Sequence, residues 1–179
     1  MDSSSMISQL SEIREETERL IIRIAKRDDL ESIYAIHSCH EVNQYIPYET
    51  WTNWDDALKW HGRVEHRRSI DDAEQFVIIR KSDQQLIGTC IAFGFNHSDQ
   101  SCEFGYVLKH DYWHQGYMFE AMQPFVQALL SHSEIQAVRA VVKSHNKASL
   151  KLLSSLNFEV KAKIADKDEQ VSYLRLDAN

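Results

Sequence analysis

Residues Tyr112 to Ala121 have the sequence YWHQGYMFEA, and the segments on either side of this stretch make it decisive for the fold. The run Cys102 to Leu108 before it is typical of a β-strand, and the apolar pattern after Gly116 is typical of a helix. The first amides of a helix have no partner within the helix and carry the positive end of its dipole, so they bind anions. The stretch therefore predicts a turn that binds a nucleotide or coenzyme pyrophosphate, although one glycine before a helix is equally typical of an ordinary loop.

The length and composition of the chain predict one globular domain. With 179 residues and 43% hydrophobic content, the chain is expected to bury roughly 70% of its unfolded surface. We expect residues 1–16 to be a polar appendage, in which one short helix is possible, and residues 17–179 to form the domain. The chain has no run of about 18 apolar residues, and residues 1–5 lack the pattern of a signal peptide. We therefore expect a cytoplasmic protein that does not enter the membrane.

The cysteines, the histidines and the net charge argue against several classes of function. Three cysteines without CxxC spacing predict neither a disulfide framework nor a zinc site. The histidines miss the i, i+4 pairing of a zinc helix, so we expect no metal. The net charge of −7 argues against nucleic-acid binding, which needs a basic surface. An acidic surface is compatible with a basic substrate, but solubility alone explains it better.

Strand-like and helix-like segments alternate from Arg19 onward. Their order, βααβββαβαββ, predicts an α/β fold with a mixed, mostly antiparallel sheet of about seven strands and helices on both faces. The sheet is expected to splay near its middle, where antiparallel pairing changes to a parallel crossover. Pro124 predicts a kink or a late start in the helix after Gly116. The expected strands are 20–25, 75–80, 86–95, 103–108, 135–142, 158–163 and 171–176, and the expected helices are 28–38, 51–67, the segment after Gly116 and 146–156.

Three blocks of the sequence together resemble a known family. They are the strand EFGYVL at 103–108, the stretch YWHQGYMFEA at 112–121, and the segment from NKAS at 146–149 to NF at 157–158. Their order and spacing resemble the GNAT superfamily of acyl-CoA-dependent N-acetyltransferases, in particular its Rim-type branch of ribosomal-protein N-terminal acetyltransferases. The resemblance covers nearly the whole chain from Glu18 and implies the GNAT fold.

The turn departs from the family pattern in ways that bear on the coenzyme. The general pattern is Gln or Arg, two residues, Gly, one residue, then Gly or Ala, and this chain keeps only Gly116 of it. Trp113 and Met118 occupy the other two positions. A Trp-Gly-Lys-Gly-Tyr-Met version is familiar in the Rim-type branch, so His114 and Gln115 are the actual departures. His114 strains the turn, and Gln115 removes one charge that would contact phosphate.

The resemblance implies acetyl-CoA as the coenzyme and assigns residues to its binding. Amides of the turn would hold the pyrophosphate, and main-chain groups at the end of the preceding strand would pair with the pantetheine arm. Asn146 would reach the coenzyme, with Ser149 on the same helix face. Alternatively, Asn146 is only a helix cap and Ser149 a buried hydroxyl bonded to its own helix. The implied coenzyme residues are Tyr106, Val107, Leu108, His114, Gln115, Gly116, Tyr117, Met118, Asn146 and Ser149.

The implied reaction is direct attack of a neutral amine on the acetyl thioester through a tetrahedral intermediate, whose oxyanion a strand amide near Val107 would stabilise. Glu103 is the candidate base, and its alternative is an exposed glutamate at a strand end. Many relatives carry a tyrosine seven residues after the asparagine. Leu153 stands there in this chain, so Ser149 is the remaining candidate acid.

The segment between the first strand and the hairpin is expected to select the acceptor. Aromatic side chains with polar tips can line a peptide groove, and Tyr45, Tyr48 and Trp51 are the candidates beside Glu103. The same aromatics can instead pack the helices against the sheet. The expected acceptor is a protein N-terminal α-amine. The alternatives are a small-molecule amine (a polyamine, an aminoglycoside or an amino-acid-like amine) and a non-catalytic module that senses acyl-CoA. The expected state is a monomer or homodimer.

Overall fold

The computed structural model describes residues 5–166 and 169–178, which form eight strands and six α-helices. The strands are β1 (Arg14–Glu16), β2 (Leu20–Ile24), β3 (Ala73–Arg80), β4 (Leu86–Asn96), β5 (Ser101–Leu108), β6 (Ala137–Lys143), β7 (Glu159–Asp166) and β8 (Glu169–Asp177). The helices are α1 (Met6–Leu10), α2 (Leu30–His37), α3 (His40–Asn43), α4 (Trp54–Ser69), α5 (Tyr117–Leu130) and α6 (Lys147–Ser155). Short 3-10 turns lie at Arg27–Asp29 and His110–Tyr112.

The strands form one eight-stranded sheet in the order β1-β2-β3-β4-β5-β6-β8-β7. All neighbours pair antiparallel except β5 and β6, which run parallel. The predicted mixed, mostly antiparallel sheet is confirmed. It has one strand more than the seven predicted, and that strand is β1. A short edge strand of polar residues has no hydrophobic alternation, which is why the sequence pattern missed it.

The two sides of β5 are paired very differently. Its antiparallel ladder with β4 runs from the pair Gly88–Leu108 to the pair Asn96–Ser101. Its parallel ladder with β6 covers only residues 101–103 of β5, which face residues 137–139. Residues 104–108 therefore diverge from β6, and the predicted splay of the sheet is observed here.

A glycine permits the close approach of β4 to β5. A Cβ atom on Gly88 would lie 2.6 Å from the main-chain oxygen of Val107. Carbon–oxygen contacts this short do not occur without a backbone shift, so any other residue at this position would push the two strands apart.

Helices cover both faces of the sheet, as predicted. On one face α5 buries Met122, Phe125 and Leu129, and the ring of Phe125 meets that of Phe76 at 5.0 Å between centroids. On the other face α2 and α4 pack over Val77 and Ile79 of β3. Pro124 lies within α5, which begins at Tyr117, so the predicted alternative of a late helix start is wrong.

The described part of the N-terminal segment, residues 5–16, packs on the domain. Met6, Ile7 and Leu10 of α1 are buried in the main core, and the Ile7 amide donates to Asp71 Oδ1 at 2.8 Å. The strand β1 pairs with β2. The predicted polar appendage is therefore corrected for residues 5–16: buried apolar contacts hold the predicted short helix in place. Residues 1–4 lie outside the described part of the chain.

The sequence predicts neither a membrane-spanning helix nor a metal site. Within 5–166 and 169–178, no helix is long and apolar enough to cross a membrane. The same residues contain no group of three or more His, Cys, Asp or Glu side chains arranged to hold a metal ion. The expectation of a metal-free protein stays a prediction.

Candidate active site at the open edge of β5

The turn before α5 has the geometry expected of an anion site. Gly116 is the residue before the helix and has φ 79°, in the left-handed region that glycine adopts without strain. His114 also has a left-handed φ of 59°, which costs a non-glycine residue about 1 kcal/mol. The strain predicted for His114 is therefore present. The amides that follow Gly116 open a 14-residue helix, so they carry the positive end of its dipole.

Two side chains tie the turn to β5 and to itself. Trp113 Nε1 donates to the Leu108 carbonyl oxygen at 2.8 Å, and Gln115 Nε2 donates to the Asp111 carbonyl oxygen at 2.9 Å. The predicted main-chain role of Leu108 is thus limited, because its carbonyl already accepts a hydrogen bond. The side chain of Gln115 folds back on the turn. The group that Gln115 can offer to an anion is therefore its main-chain amide.

An arginine that the sequence reasoning missed lies beside the turn. Arg19 Nη1 donates to the Gln115 carbonyl oxygen at 3.2 Å, and its guanidinium carbon lies 4.2 Å from the centre of the Tyr117 ring. Arg19 Nε also pairs with Glu120 Oε2 at 2.6 Å. The signal available in the sequence was Glu120, an acid in the first turn of a helix that is predicted to bind an anion.

The opening between β5 and β6 brings together two predicted site residues. The Tyr106 hydroxyl lies 2.6 Å from Ser149 Oγ, which links β5 to α6 across the divergence of the strands. Burial raises the pKa of Tyr106 to about 12, and the hydrogen bond with Ser149 opposes that shift. The sequence assigned Tyr106 only a main-chain role, whereas the structure places its side chain against the candidate acid.

Asn146 has the capping role that was its alternative interpretation. Its side-chain oxygen accepts a hydrogen bond from the Ser149 amide at 3.1 Å, at the start of α6. A contact of Asn146 with a coenzyme stays a prediction. Ser149 differs from its own alternative, because its hydroxyl bonds to Tyr106 rather than to its own helix.

Glu103 lies where the parallel pairing of β5 and β6 ends, opposite Arg139. Burial raises the pKa of Glu103, and the positive charge of Arg139 partly opposes the shift. Arg139 donates to the Gly94 carbonyl oxygen at 3.0 Å, and its Nε is buried without a partner in the described part of the chain. Glu103 is thus half-buried rather than exposed. Because it is three residues from Tyr106, the two side chains point to opposite faces of β5.

The predicted acceptor residues lie in different surroundings. Tyr45 is at the opening: its ring lies 5.3 Å from that of His145, the residue before Asn146. Trp51 is only 5% exposed and packs between His37 and Trp60, so it has the packing role given as the alternative. Tyr48 is exposed, and it lines a cavity of about 330 Å³ together with Glu49, Thr50, Trp51, Thr52, Asp56, Lys59 and Arg63.

Residues 19–159 match the family model described as an acetyltransferase (GNAT) domain. The chain is 30% identical over 153 residues to the "Uncharacterized N-acetyltransferase p20" of Bacillus licheniformis, covering 84% of each chain. It superposes on the ribosomal-protein-S5-alanine acetyltransferase of Vibrio fischeri with a TM-score of 0.81 at 18% identity, covering 94% of this chain and 98% of that one. The spermidine N-acetyltransferase of Vibrio cholerae, solved with CoA and spermine, gives a TM-score of 0.77 at 15% identity, with 90% and 97% covered. The two structural likenesses concern the fold alone.

Proposed function

Because the chain belongs to the GNAT acetyltransferase family, we propose that it transfers the acetyl group of acetyl-CoA to a protein N-terminal α-amine, with the active site at the open edge of β5. The observation that supports this site most strongly is the divergence of residues 104–108 from β6, next to the left-handed turn at Gly116. A free strand edge offers main-chain hydrogen bonds to an extended arm with amide groups. The turn offers amides to a pyrophosphate.

The residues at this edge fit acetyl-CoA. The amides of residues 115–118 at the start of α5 would hold the pyrophosphate, and main-chain groups of Tyr106 and Val107 would hold the pantetheine arm. Asn146 and Ser149 begin α6 on the other side of the opening. When bound, acetyl-CoA supplies an activated acetyl group as a thioester, which a neutral amine attacks directly.

Two side chains handle protons in this proposal. Glu103 accepts the proton of the amine, and its raised pKa makes it a better base than an exposed glutamate. Ser149 donates a hydrogen bond toward the departing thiol from the opposite face, with Tyr106 holding its hydroxyl at 2.6 Å. The thiolate is a good leaving group because its conjugate thiol has a pKa near ~8.5. Ser149 therefore needs only to offer a hydrogen bond and not to act as a strong acid.

The charge near Glu103 favours an N-terminal amine over a polyamine as the acceptor. An α-amine has an unperturbed pKa of ~7.7 to 8.0, so a large fraction is already neutral near pH 8. A polyamine carries several charges that need surrounding carboxylates, whereas Glu103 has Arg139 beside it. A small-molecule amine is nevertheless the second candidate, because the structural relatives include a spermidine acetyltransferase.

Calorimetric titration and an acceptor panel test the proposal. We expect acetyl-CoA and CoA to bind and pantetheine, which lacks the pyrophosphate, to bind much more weakly. We then expect thiol release with peptides that have a free N-terminus, and none with the same peptides after N-terminal blocking. Release with spermidine but not with peptides would favour the small-molecule alternative, and binding without any release would favour a sensing module. We place the reaction in the cytoplasm, with the enzyme acting as a monomer or homodimer.

A further inference from the structure

Glu120 poses an electrostatic problem for the turn before α5. It is the fourth residue of the helix and lies in its first turn, so its charge is near the helix end whose amides would hold a phosphate. A carboxylate there satisfies the helix dipole by itself. It would also repel a pyrophosphate at the same amides.

Residues of the turn between β1 and β2 compensate the negative charge of this carboxylate. Oε1 of Glu120 accepts hydrogen bonds from Thr17 Oγ1 at 2.5 Å and from the Arg19 amide at 2.9 Å, and Oε2 accepts from Arg19 Nε at 2.6 Å. Burial disfavours the charged form of Glu120, but these hydrogen bonds outweigh it and hold the pKa below its usual value. Glu120 is therefore an ionised and fully engaged carboxylate.

The same arginine also fixes the main chain of the turn. Its Nη1 holds the Gln115 carbonyl oxygen toward the β1–β2 turn. In a trans peptide the N–H of the next residue, Gly116, points the opposite way, which is the side on which it would face an anion. The guanidinium of this arginine stacks on Tyr117, and its Nη2 lies 3.6 Å from the position that a Cβ atom of Gly116 would occupy. The β1–β2 turn is itself held by Lys81, whose Nζ donates to the Thr17 carbonyl oxygen at 2.6 Å.

We propose that Arg19 is a positioning residue for the coenzyme pyrophosphate, which acts by neutralising Glu120 and by holding the Gln115 carbonyl. This inference rests on the proposed function, because it concerns the same coenzyme site. Gln115 brings no charge to the turn, so the compensation of the Glu120 carboxylate comes from a distant part of the chain. The ion pair joins residues 101 positions apart.

The test is a double-mutant cycle on full-length protein, with CoA and pantetheine as the two probes. We expect Arg19→Met to weaken CoA binding about tenfold and to leave pantetheine binding within about twofold of wild type, because the effect acts through the phosphates. We expect Glu120→Gln alone to change CoA affinity less than about threefold. The double variant is expected to recover CoA affinity to within about threefold of wild type, because no unpaired carboxylate remains; the rest of the loss reflects the Gln115 carbonyl, which Arg19 no longer holds.

A matched control separates positioning from stability. Arg23 lies on β2 and pairs at 2.8 Å with Asp29, in the 3-10 turn before α2, so Arg23→Met also removes a partly buried ion pair. It should lower the melting temperature without changing the ratio of CoA to pantetheine affinity. Should Arg19→Met fail to fold, Arg19→Lys is the second variant: it keeps the charge but not the planar fork, and it should bind CoA about threefold more weakly than wild type with pantetheine binding unchanged.

Three results would overturn the proposal. They are equal losses for CoA and pantetheine in Arg19→Met, no recovery of CoA affinity in the double variant, and CoA affinity in Arg19→Met equal to wild type. The wild-type titration distinguishes this failure from that of the proposed function. If wild type binds CoA and the variants behave as wild type, only the role of Arg19 is lost. If wild type binds no CoA, both are lost.

Discussion

The two sides of β5 show how one strand serves both stability and function. Toward β4 it is paired from Glu103 to Leu108 and again at Ser101, and Gly88 lets the two backbones approach closely. Toward β6 it is paired only over residues 101–103, and beyond Glu103 the edge is open. Main-chain groups on the closed side are used by the sheet. In our proposal those of residues 104–107 on the open side serve a ligand, and Tyr106, Ser149 and Tyr45 lie around that opening.

The largest expected effect comes from breaking the closed side. Gly88→Ala places a Cβ atom 2.6 Å from the Val107 oxygen in the rigid setting of the sheet, so we expect a loss of about 3 kcal/mol in the free energy of unfolding. Denaturant unfolding measures it. Gly62→Ala is the matched control: Gly62 lies in α4 with no atom within 4 Å of the added Cβ, and the change should stabilise by about 0.5–1 kcal/mol. A Gly88→Ala protein of wild-type stability would contradict the account of this side.

A change at the boundary between the two sides should separate chemistry from binding. We expect Glu103→Gln to lower kcat about 100-fold, because the amine loses its base. Coenzyme affinity should stay within about twofold, and stability at pH 7 should not fall, because the burial that raises the pKa of Glu103 penalises the ionised carboxylate. Steady-state kinetics and calorimetry on one preparation measure both. Wild-type kcat in Glu103→Gln would exclude Glu103 as the base.

The pH profile sharpens the same assignment. Glu103 acts as a base only when ionised, so kcat/KM should fall as the pH drops through its raised pKa. Arg139→Met removes the charge that lowers this pKa, and the fall should then move to higher pH. In Glu103→Gln this component of the profile should vanish. A fall that stays in place in Arg139→Met would show that another group titrates.

On the open side, the hydrogen bond between Tyr106 and Ser149 should contribute less to kcat than Glu103 does. We expect Ser149→Ala to lower kcat about tenfold, and Tyr106→Phe to lower it by a smaller factor, because the serine hydroxyl stays but is no longer held. KM for acetyl-CoA should change little in either variant. If Tyr106→Phe instead raised KM with kcat unchanged, the tyrosine would be a binding group rather than a positioning one.

The smallest expected effect separates the two roles of Asn146. Asn146→Ala removes the cap of α6 and should cost about 1 kcal/mol of stability. Asn146→Ser keeps a capping oxygen but loses the longer amide. If the cap is its whole role, the serine variant should match wild type in coenzyme affinity. If Asn146 also reaches the coenzyme, both variants should bind it more weakly. We expect the second result.

Local pattern was enough to predict most of the fold and the turn. Gly116 between a strand and an apolar helix signals its own conformation, and hydrophobic alternation marks strands such as β3. The pattern failed where residues meet over long separations. The pairs Arg19–Glu120 and Tyr106–Ser149 join positions 101 and 43 apart, and periodicity carries no information about them. Trp51 is a third case, because an aromatic residue in a polar segment gives no sign of whether the fold buries it.

Hydrogen exchange of the backbone amides with and without CoA tests the difference between the two sides of β5 most directly. The account predicts that CoA slows exchange in residues 104–108 and 115–118, which form the open edge and the turn, and leaves exchange in β4 (Leu86–Asn96) unchanged. If CoA binds and residues 104–108 exchange at the same rate as in the free protein, the open edge of β5 is not the coenzyme site.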